Sequence, residues 1–290
     1  MRKNIFFSIL ILFCFCGLNA QTLSVQQIRQ NLINQPPNEG DFEIRKESIL
    51  DLDQYLLVEN VASNADIKDF YESMMDKVAD EFAQSYSARA DIWILYNHGF
   101  LVKTPDIVIA FDIVHAPRAW TSYRLPSELI DAIDILFVSH IHGDHLDTRI
   151  TNEVLDNGKH VMVPQEISSC GNVAMSPGET TMIEGISVKA HDCLHSVPVR
   201  IYEVTLPNGL KFVHTGDNQT SETLPQIDDI DVLLLNGWVN DSGDATAVNG
   251  MKNSMAKLNP DIMIPGHFQE IMHSPDMRAR YEWGFQVNDL

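Results

Sequence analysis

Basic side chains are scarce: 20 Lys and Arg face 40 Asp and Glu, a formal charge of -20. A surface so poor in cations does not wrap nucleic-acid polymers, whose phosphates need Lys and Arg. It does not settle on anionic lipid headgroups either. Cysteine is also scarce. Of the four, Cys14 and Cys16 lie near the start, leaving only Cys170 and Cys193. Two thiols make neither a disulfide framework nor a cysteine-based metal site; they stand as independent thiols or as one pair in an oxidising compartment. With 15 Gly, 13 Pro and 44% apolar residues in a chain of 290, fibrous repeats and wholesale disorder are excluded. The chain is long enough to bury a substantial core.

What is present begins with a label. Arg2 and Lys3 precede an apolar run from Ile5 to Leu18, and small residues follow at Asn19-Ala20. That is the plan of a secretory signal peptide over residues 1–20, too short and poorly flanked for a membrane span. Export to the periplasm or the medium is the expectation. Cys16 invites a lipid anchor, which the bulky Phe15 before it disfavours. Cleavage removes two basic residues and no acidic ones, so the mature chain carries 18 against 40, or -22. No later stretch approaches spanning length, so no stable membrane span is expected after cleavage.

Residues 21–90 read as an N-terminal extension. A Gln/Asn-rich lead ending at Pro36-Pro37 gives way to a long amphipathic helix, marked by Ile67, Phe70, Met74, Val78 and Phe82 at spacings of three or four. Fourteen acidic and five basic residues fall between Glu39 and Asp91. A solvated helix face accounts for them; a cap over an active site is the sharper alternative. From residue 91 the texture changes to short β-branched or aromatic runs at 92–97, 100–103, 107–114, 134–139, 160–163, 183–190, 200–206, 210–213, 230–235 and 262–264. Helices are expected at 127–133, 148–155 and 245–258, and Pro207-Asn208-Gly209 marks a hairpin. Strands clustered in two comparable halves, with helices interspersed, suggest sheets packed face to face with helices outside.

Chemistry concentrates where the run 134–139 ends. His140-Ile-His142-Gly-Asp144-His145 puts three imidazoles and a carboxylate within six residues. The two-residue step from His140 to His142 points both rings the same way in extended backbone. Gly143 is expected to permit a tight turn that brings Asp144 and His145 around a second point. Imidazole and carboxylate together suit zinc, manganese or iron. Three later segments also follow strands: His191-Asp-Cys-Leu-His195, His214-Thr-Gly-Asp217 and Pro265-Gly-His267.

From about Asp91 to about Glu270 the chain resembles the metallo-β-lactamase-fold superfamily of binuclear metal hydrolases, on the His-x-His-x-Asp-His box and the Gly-Asp and Gly-His elements in order. The resemblance implies a four-layer αββα sandwich, an α/β fold over residues 91–290, with metals at one edge. It implies one divalent ion on His140, His142 and His195, a second on Asp144, His145 and His267, and Asp217 bridging them. His195 is preferred to His191, which then supports or packs. Asp112 matches an early aspartate that hydrogen-bonds the ligands. Asp217 with His145 is more similar to the lactonase, phosphodiesterase and thioester-hydrolase branches than to the lactamases proper. Tyr96–Phe100, His214-Thr-Gly-Asp217 and Pro265-Gly-His267 are similar to a lactonase branch. The redox branch carries Glu where His142 stands.

Two such cations bring the pKa of a bridging water to about 7, so hydroxide is available at neutral pH. The expectation is a hydrolase of a small ester, lactone or phosphoester, with Asp144 moving a proton as well as binding metal. Further candidates are His98 and His115 as hydrogen-bond donors to an oxyanion, Tyr96 on the same edge as a residue that shapes the pocket, Arg118 and Arg200 as anion binders, and Trp238 at the mouth. His160 and His273 read as surface residues. The alternatives are a phosphodiesterase acting on nucleotide or phospholipid-like substrates, and a metal-loaded binding or sensing protein without catalysis. A small-molecule substrate is expected, and nothing in the sequence sets the oligomeric state.

Overall fold

The computed structural model describes residues 22–37, 40–85, 88–241 and 246–288; the expected signal peptide lies outside them. Three helices come first: α1 (Val25–Asn34), α2 (Phe42–Leu56) and α3 (Ala65–Gln84). The first half of the sandwich then runs β1 (Asp91–Ile94), β2 (Phe100–Lys103), β3 (Val108–Phe111), α4 (Ser127–Asp131), β4 (Ile135–Phe137), α5 (Thr148–Asp156), β5 (His160–Pro164) and β6 (Val173–Met175). The second half holds β7 (Thr180–Ile183), β8 (Ile186–Asp192), β9 (Arg200–Thr205), β10 (Lys211–His214), β11 (Val232–Asn236), α6 (Ala247–Leu258), β12 (Ile262–Gly266) and α7 (Tyr281–Asn288).

Each half forms one six-stranded sheet, in the order β1-β2-β3-β4-β5-β6 and β12-β11-β10-β9-β8-β7. Both begin as antiparallel meanders and end parallel, with β3 beside β4 and β10 beside β11. The central strands are apolar on both faces, as strands covered on both sides must be. Alternation divides them: Phe100, Val102, Ile109, Phe111, Ile135 and Phe137 meet Val188, Tyr202, Phe212 and Leu234 between the sheets. The opposite faces carry Leu101, Ala110 and Leu136 against α3, α4 and α5. On the second sheet, Val213, Leu233 and Leu235 pack against α6 and α7. This is the αββα sandwich.

The N-terminal segment is more ordered than its composition suggests. Ser24 and Gln27 form a reciprocal capping box that starts α1 within the Gln/Asn-rich lead. Asp41 caps α2, and Asn64 caps α3. Met75, Val78, Ala79 and Phe82 of α3 join Leu95, just after β1, and Leu101 of β2 in one apolar layer, so packing is continuous across residue 90. Buried Asp53 of α2 accepts the first two N–H groups of α7, from Tyr281 and Glu282, and ties α7 to the N-terminal helices.

Strand ends depart from expectation where the backbone turns left-handed. The run 92–97 stops at Ile94, because Asn97 (φ 59°) closes a turn in which Leu95 N–H bonds to Gly99 O. The run 107–114 stops before Asp112 (φ 46°). The run 183–190 is half of a hairpin: Glu184 (φ 46°) and Gly185 (φ 77°) make the two-residue turn that joins β7 to β8.

Candidate metal centre

Strands β3 and β4 run together, as do β10, β11 and β12. Strand β8, two antiparallel steps from β10, shares its direction. The loops leaving their C-terminal ends carry Asp112, His140–His145, His195, Asp217 and His267, so one edge of the sandwich collects them. Two groups of donor atoms result: His140, His142, His195 and Asp217, and Asp144, His145 and His267, with the atoms of each group within 4.8 Å of one another.

Asp217 joins the groups. Its Oδ2 lies 3.5 Å from His140 Nε2, while its Oδ1 lies 3.2 Å from His145 Nε2 and 3.3 Å from His267 Nε2. Asp144 Oδ2 stands 3.2 Å from His145 Nε2 and 3.5 Å from His267 Nε2. His191 is elsewhere: its Nε2 is 2.9 Å from Glu203 Oε2 on β9, and His195 is the ring brought to the cluster.

Beneath the donors lies buried Asp112. It accepts Ser139 N–H (2.6 Å) and the Ser139 hydroxyl (2.5 Å), and it accepts His145 Nδ1–H at 2.7 Å. Because Ser139 donates to Asp112, its oxygen accepts from His140 Nδ1 at 2.9 Å. One carboxylate therefore fixes both rings in the tautomer that leaves Nε2 as the free donor, as hydrogen-bond partners of ligating histidines do. Asp112 also lies within ligand range of His140 and His145; its oxygens are already occupied by these donors, so it serves as their anchor. Asn97 Nδ2 steadies Asp144 Oδ2 at 2.9 Å, and Asn97 O accepts His267 N–H at 2.9 Å. Ser139 and Asn97 escaped sequence reasoning, although both adjoin residues it singled out.

The donors fit a metal centre on their own evidence. His140 Nε2, His145 Nε2 and Asp217 Oδ1 are buried without hydrogen-bond partners, a costly arrangement for groups meant only to pack. Electrostatics agree. Burial opposes ionisation, yet the neighbouring imidazoles hold Asp144 and Asp217 well below the usual carboxylate range. Burial likewise opposes a cation on His267, but Asp217 and Asp144 push it up to about 10, and His145 is raised by Asp217, Asp144 and Asp112. His140, dominated by burial and by His145, falls to about 3. The carboxylates thus demand positive charge at the points the free Nε2 atoms face, and divalent cations meet that demand.

The remaining candidates fall in other places. His98 is fully buried, 4.3 Å ring to ring from His214 and against Phe100, with both ring nitrogens unpartnered and its pKa driven well down by burial; it lies behind the donors and outside both donor groups. Tyr96 donates to Glu270 Oε2 at 3.0 Å. His115 Nδ1 accepts Leu125 N–H, away from the cluster. Arg200 is buried, with both Glu166 oxygens within 2.8 Å of Nη2 and Nε bonded to Met175 O, so its charge is already answered. Trp238 stacks on His267 at 6.2 Å with planes 15° apart and borders the cluster. Arg118 lies over Gly143, where any β-carbon would collide with its guanidinium. Gly143 is not among the residues with positive φ, so no left-handed turn requires the glycine. His273 is exposed beside Trp238, and His160 pairs with Glu184. Cys170 and Cys193 are both free.

Comparison with known proteins agrees with this construction. The sequence profile of the beta-lactamase superfamily domain matches residues 92–267, more than half of the chain. The chain belongs to that superfamily and is one of its metallo-hydrolases, with His and Asp groups positioned to hold divalent metal. Among solved structures it is similar to Igni18, a metallo hydrolase from the archaeon Ignicoccus hospitalis (15% identity, TM-score 0.52, 69% of this chain and 90% of that one). It is also similar to an isothiocyanate hydrolase from Delia radicum gut bacteria (15% identity, TM-score 0.52, 68% and 91%). At these identities the likeness is one of fold. Curated proteins give no match.

Proposed function

We propose that this protein is an exported binuclear metal hydrolase that cleaves a small ester, lactone or phosphoester. The observation that carries the reading is Asp217, whose two oxygens face two separate sets of imidazole donors. His140, His142 and His195 would hold one ion, Asp144, His145 and His267 the other, and zinc suits the donor set best, with manganese or iron also accepted. When bound, such a pair supplies hydroxide at neutral pH and polarises a substrate oxygen.

The chain's own residues do the rest. Asp112 and Ser139 hold His140 and His145 rigid, so the donors need no rearrangement during turnover. Asn97 fixes Asp144 through Oδ2, and Asp144 is the carboxylate that would take up the proton lost by the attacking water. Trp238, stacked on His267, forms an apolar wall beside the reacting centre and helps exclude bulk water. The charge of -20 repels long polyanions, which favours small substrates over nucleic acid. Export rests on the N-terminal pattern; among the described residues no helix is long and apolar enough to cross a membrane.

The test is a panel on the zinc-, manganese- or iron-loaded protein: an aryl phosphodiester, a γ-lactone, a thioester, an aryl isothiocyanate and a chromogenic β-lactam. Chelator-sensitive turnover of the phosphodiester or lactone, restored by metal, is expected, with little on the β-lactam. Metal-loaded protein inert towards every probe overturns the catalytic reading. Mature protein recovered from outside the cytoplasm should begin at Gln21; an intact residue 1 there would contradict signal cleavage.

A further inference from the structure

A cavity of about 440 Å³ lies between the N-terminal helices and the strand ends that carry Tyr96, Asn97 and Gly266. Packed interiors hold few voids larger than a water molecule, whereas small-molecule sites are of this size. The wall combines aliphatic and aromatic side chains, among them Leu52, Ile67, Phe70, Met74, Trp120 and Phe285, and includes no Asp, Glu or Lys. Four of its polar side chains donate into the protein, while Asn97 Oδ1 and Gln269 Oε1 are buried without partners. Tyr71 donates to His115 O, Tyr96 to Glu270, Gln269 to Asp53 and Asn97 to Asp144. The interior therefore presents mostly hydrocarbon to an occupant, with the two amide oxygens confined to the strand-end side.

The rim differs from the interior. Half-buried Arg45 lines the cavity, and Lys46 Nζ sits 5.5 Å from the ring of Phe285, another lining residue. Arg45 Nη1 reaches only the carbonyls of Leu32 and Gln35 at the end of α1. The acid that most affects it, Glu81, is engaged by Lys77 and Trp93. Neither cation has a carboxylate within salt-bridge range among the described residues. Two successive cations on α2, one turned to the end of α1 and one to Phe285, both without acidic partners among the described residues, stand out in a segment with fourteen acidic and five basic residues.

We propose that this cavity binds a single-chain amphiphile, with its hydrocarbon tail among Leu52, Phe70 and Met74 and an anionic head at Arg45 and Lys46. Helices α1 to α3 form one wall of the site, and the strand ends and α7 form the other; the proposal does not depend on what the metal centre hydrolyses. Binding is measured by calorimetry on the whole protein with decanoate, and with decanol as the neutral isostere. Saturable binding of one decanoate per chain is expected. R45Q/K46Q should weaken decanoate about tenfold while leaving decanol nearly unchanged, as removal of a charge-assisted contact does. Met74→Trp, or Ile49→Trp if the first fails to fold, should fill the lumen and weaken both ligands, with circular dichroism and metal content retained. Absence of saturable decanoate binding overturns the proposal. So does decanoate binding that neither the rim variant nor a folded lumen variant reduces.

Discussion

The two sheets supply the metal cluster in opposite ways. The first gives four donors from one loop, His140 to His145, immediately after β4. The second gives three donors from three loops, after β8, β10 and β12, which meet only because those strands run in the same direction. A contiguous loop builds its half of the site locally; the dispersed half is a product of topology. The backbone reflects this. Asn97, Asp112, Gly216 and His267 all have positive φ, between 46° and 59°, at strand ends around the cluster. Non-glycine residues hold that conformation at a cost of about 1–2 kcal/mol each, which the surrounding packing must sustain.

The largest expected effect comes from the residue that joins the halves. Asp217→Ala should lower kcat/KM on any substrate the protein turns over by on the order of 10³-fold, through loss of several kcal/mol of charge stabilisation. A loss confined to KM would break the bridging assignment. Next, His142→Ala and His267→Ala, one from each side, should each leave about one bound metal per chain and lower activity by on the order of 10²-fold. If His142→Ala emptied both sites while His267→Ala emptied neither, the halves would not be equivalent and the comparison would fail.

Asp112→Asn probes the contiguous half alone. It removes the acceptor that orients His145 directly and His140 through Ser139, so metal affinity measured by chelator competition should fall about 10- to 100-fold. Within the dispersed half, His195→Ala should lose metal, and His191→Ala should leave metal content unchanged because that ring pairs with Glu203.

The smallest effect concerns a histidine outside the cluster. Burial lowers His115 to about 4 from an ordinary 6.5. Below pH 6.5 the unfolded chain takes up a proton that the folded chain refuses, so stability drains as pH falls from about 6.5 to about 4. His115→Asn should flatten that slope in acid urea titrations, by roughly 1–3 kcal/mol at the low end and nothing at pH 7. An unchanged slope would show that His115 accepts its proton in the fold.

What could be read ahead of the structure divides along the same line. The His140–His145 box was legible because four ligand types in six residues have no packing explanation. The dispersed donors became legible only through the resemblance, since a lone His after a strand says little. The choice of His195 over His191 turns on where β8 stops being a strand, which spacing alone does not fix. Ser139 and Asn97 stayed hidden because a serine before a histidine, or an asparagine in a turn, is ordinary until Asp112 and Asp144 are seen beside them. Helix α1 was missed for a similar reason: its Gln and Asn residues mask a narrow apolar stripe of Val25, Ile28 and Leu32 that has meaning only against α2 and α3. The hairpin at Glu184-Gly185 looked like continuous strand because a left-handed glutamate carries no compositional signal.

Metal analysis of the reconstituted protein beside its Asp217→Ala variant bears most directly on the central claim. Two equivalents of divalent metal per chain in the native protein, with substantial loss from the variant, is the predicted result. One equivalent in the native protein, or two retained in the variant, would contradict a binuclear centre bridged by Asp217.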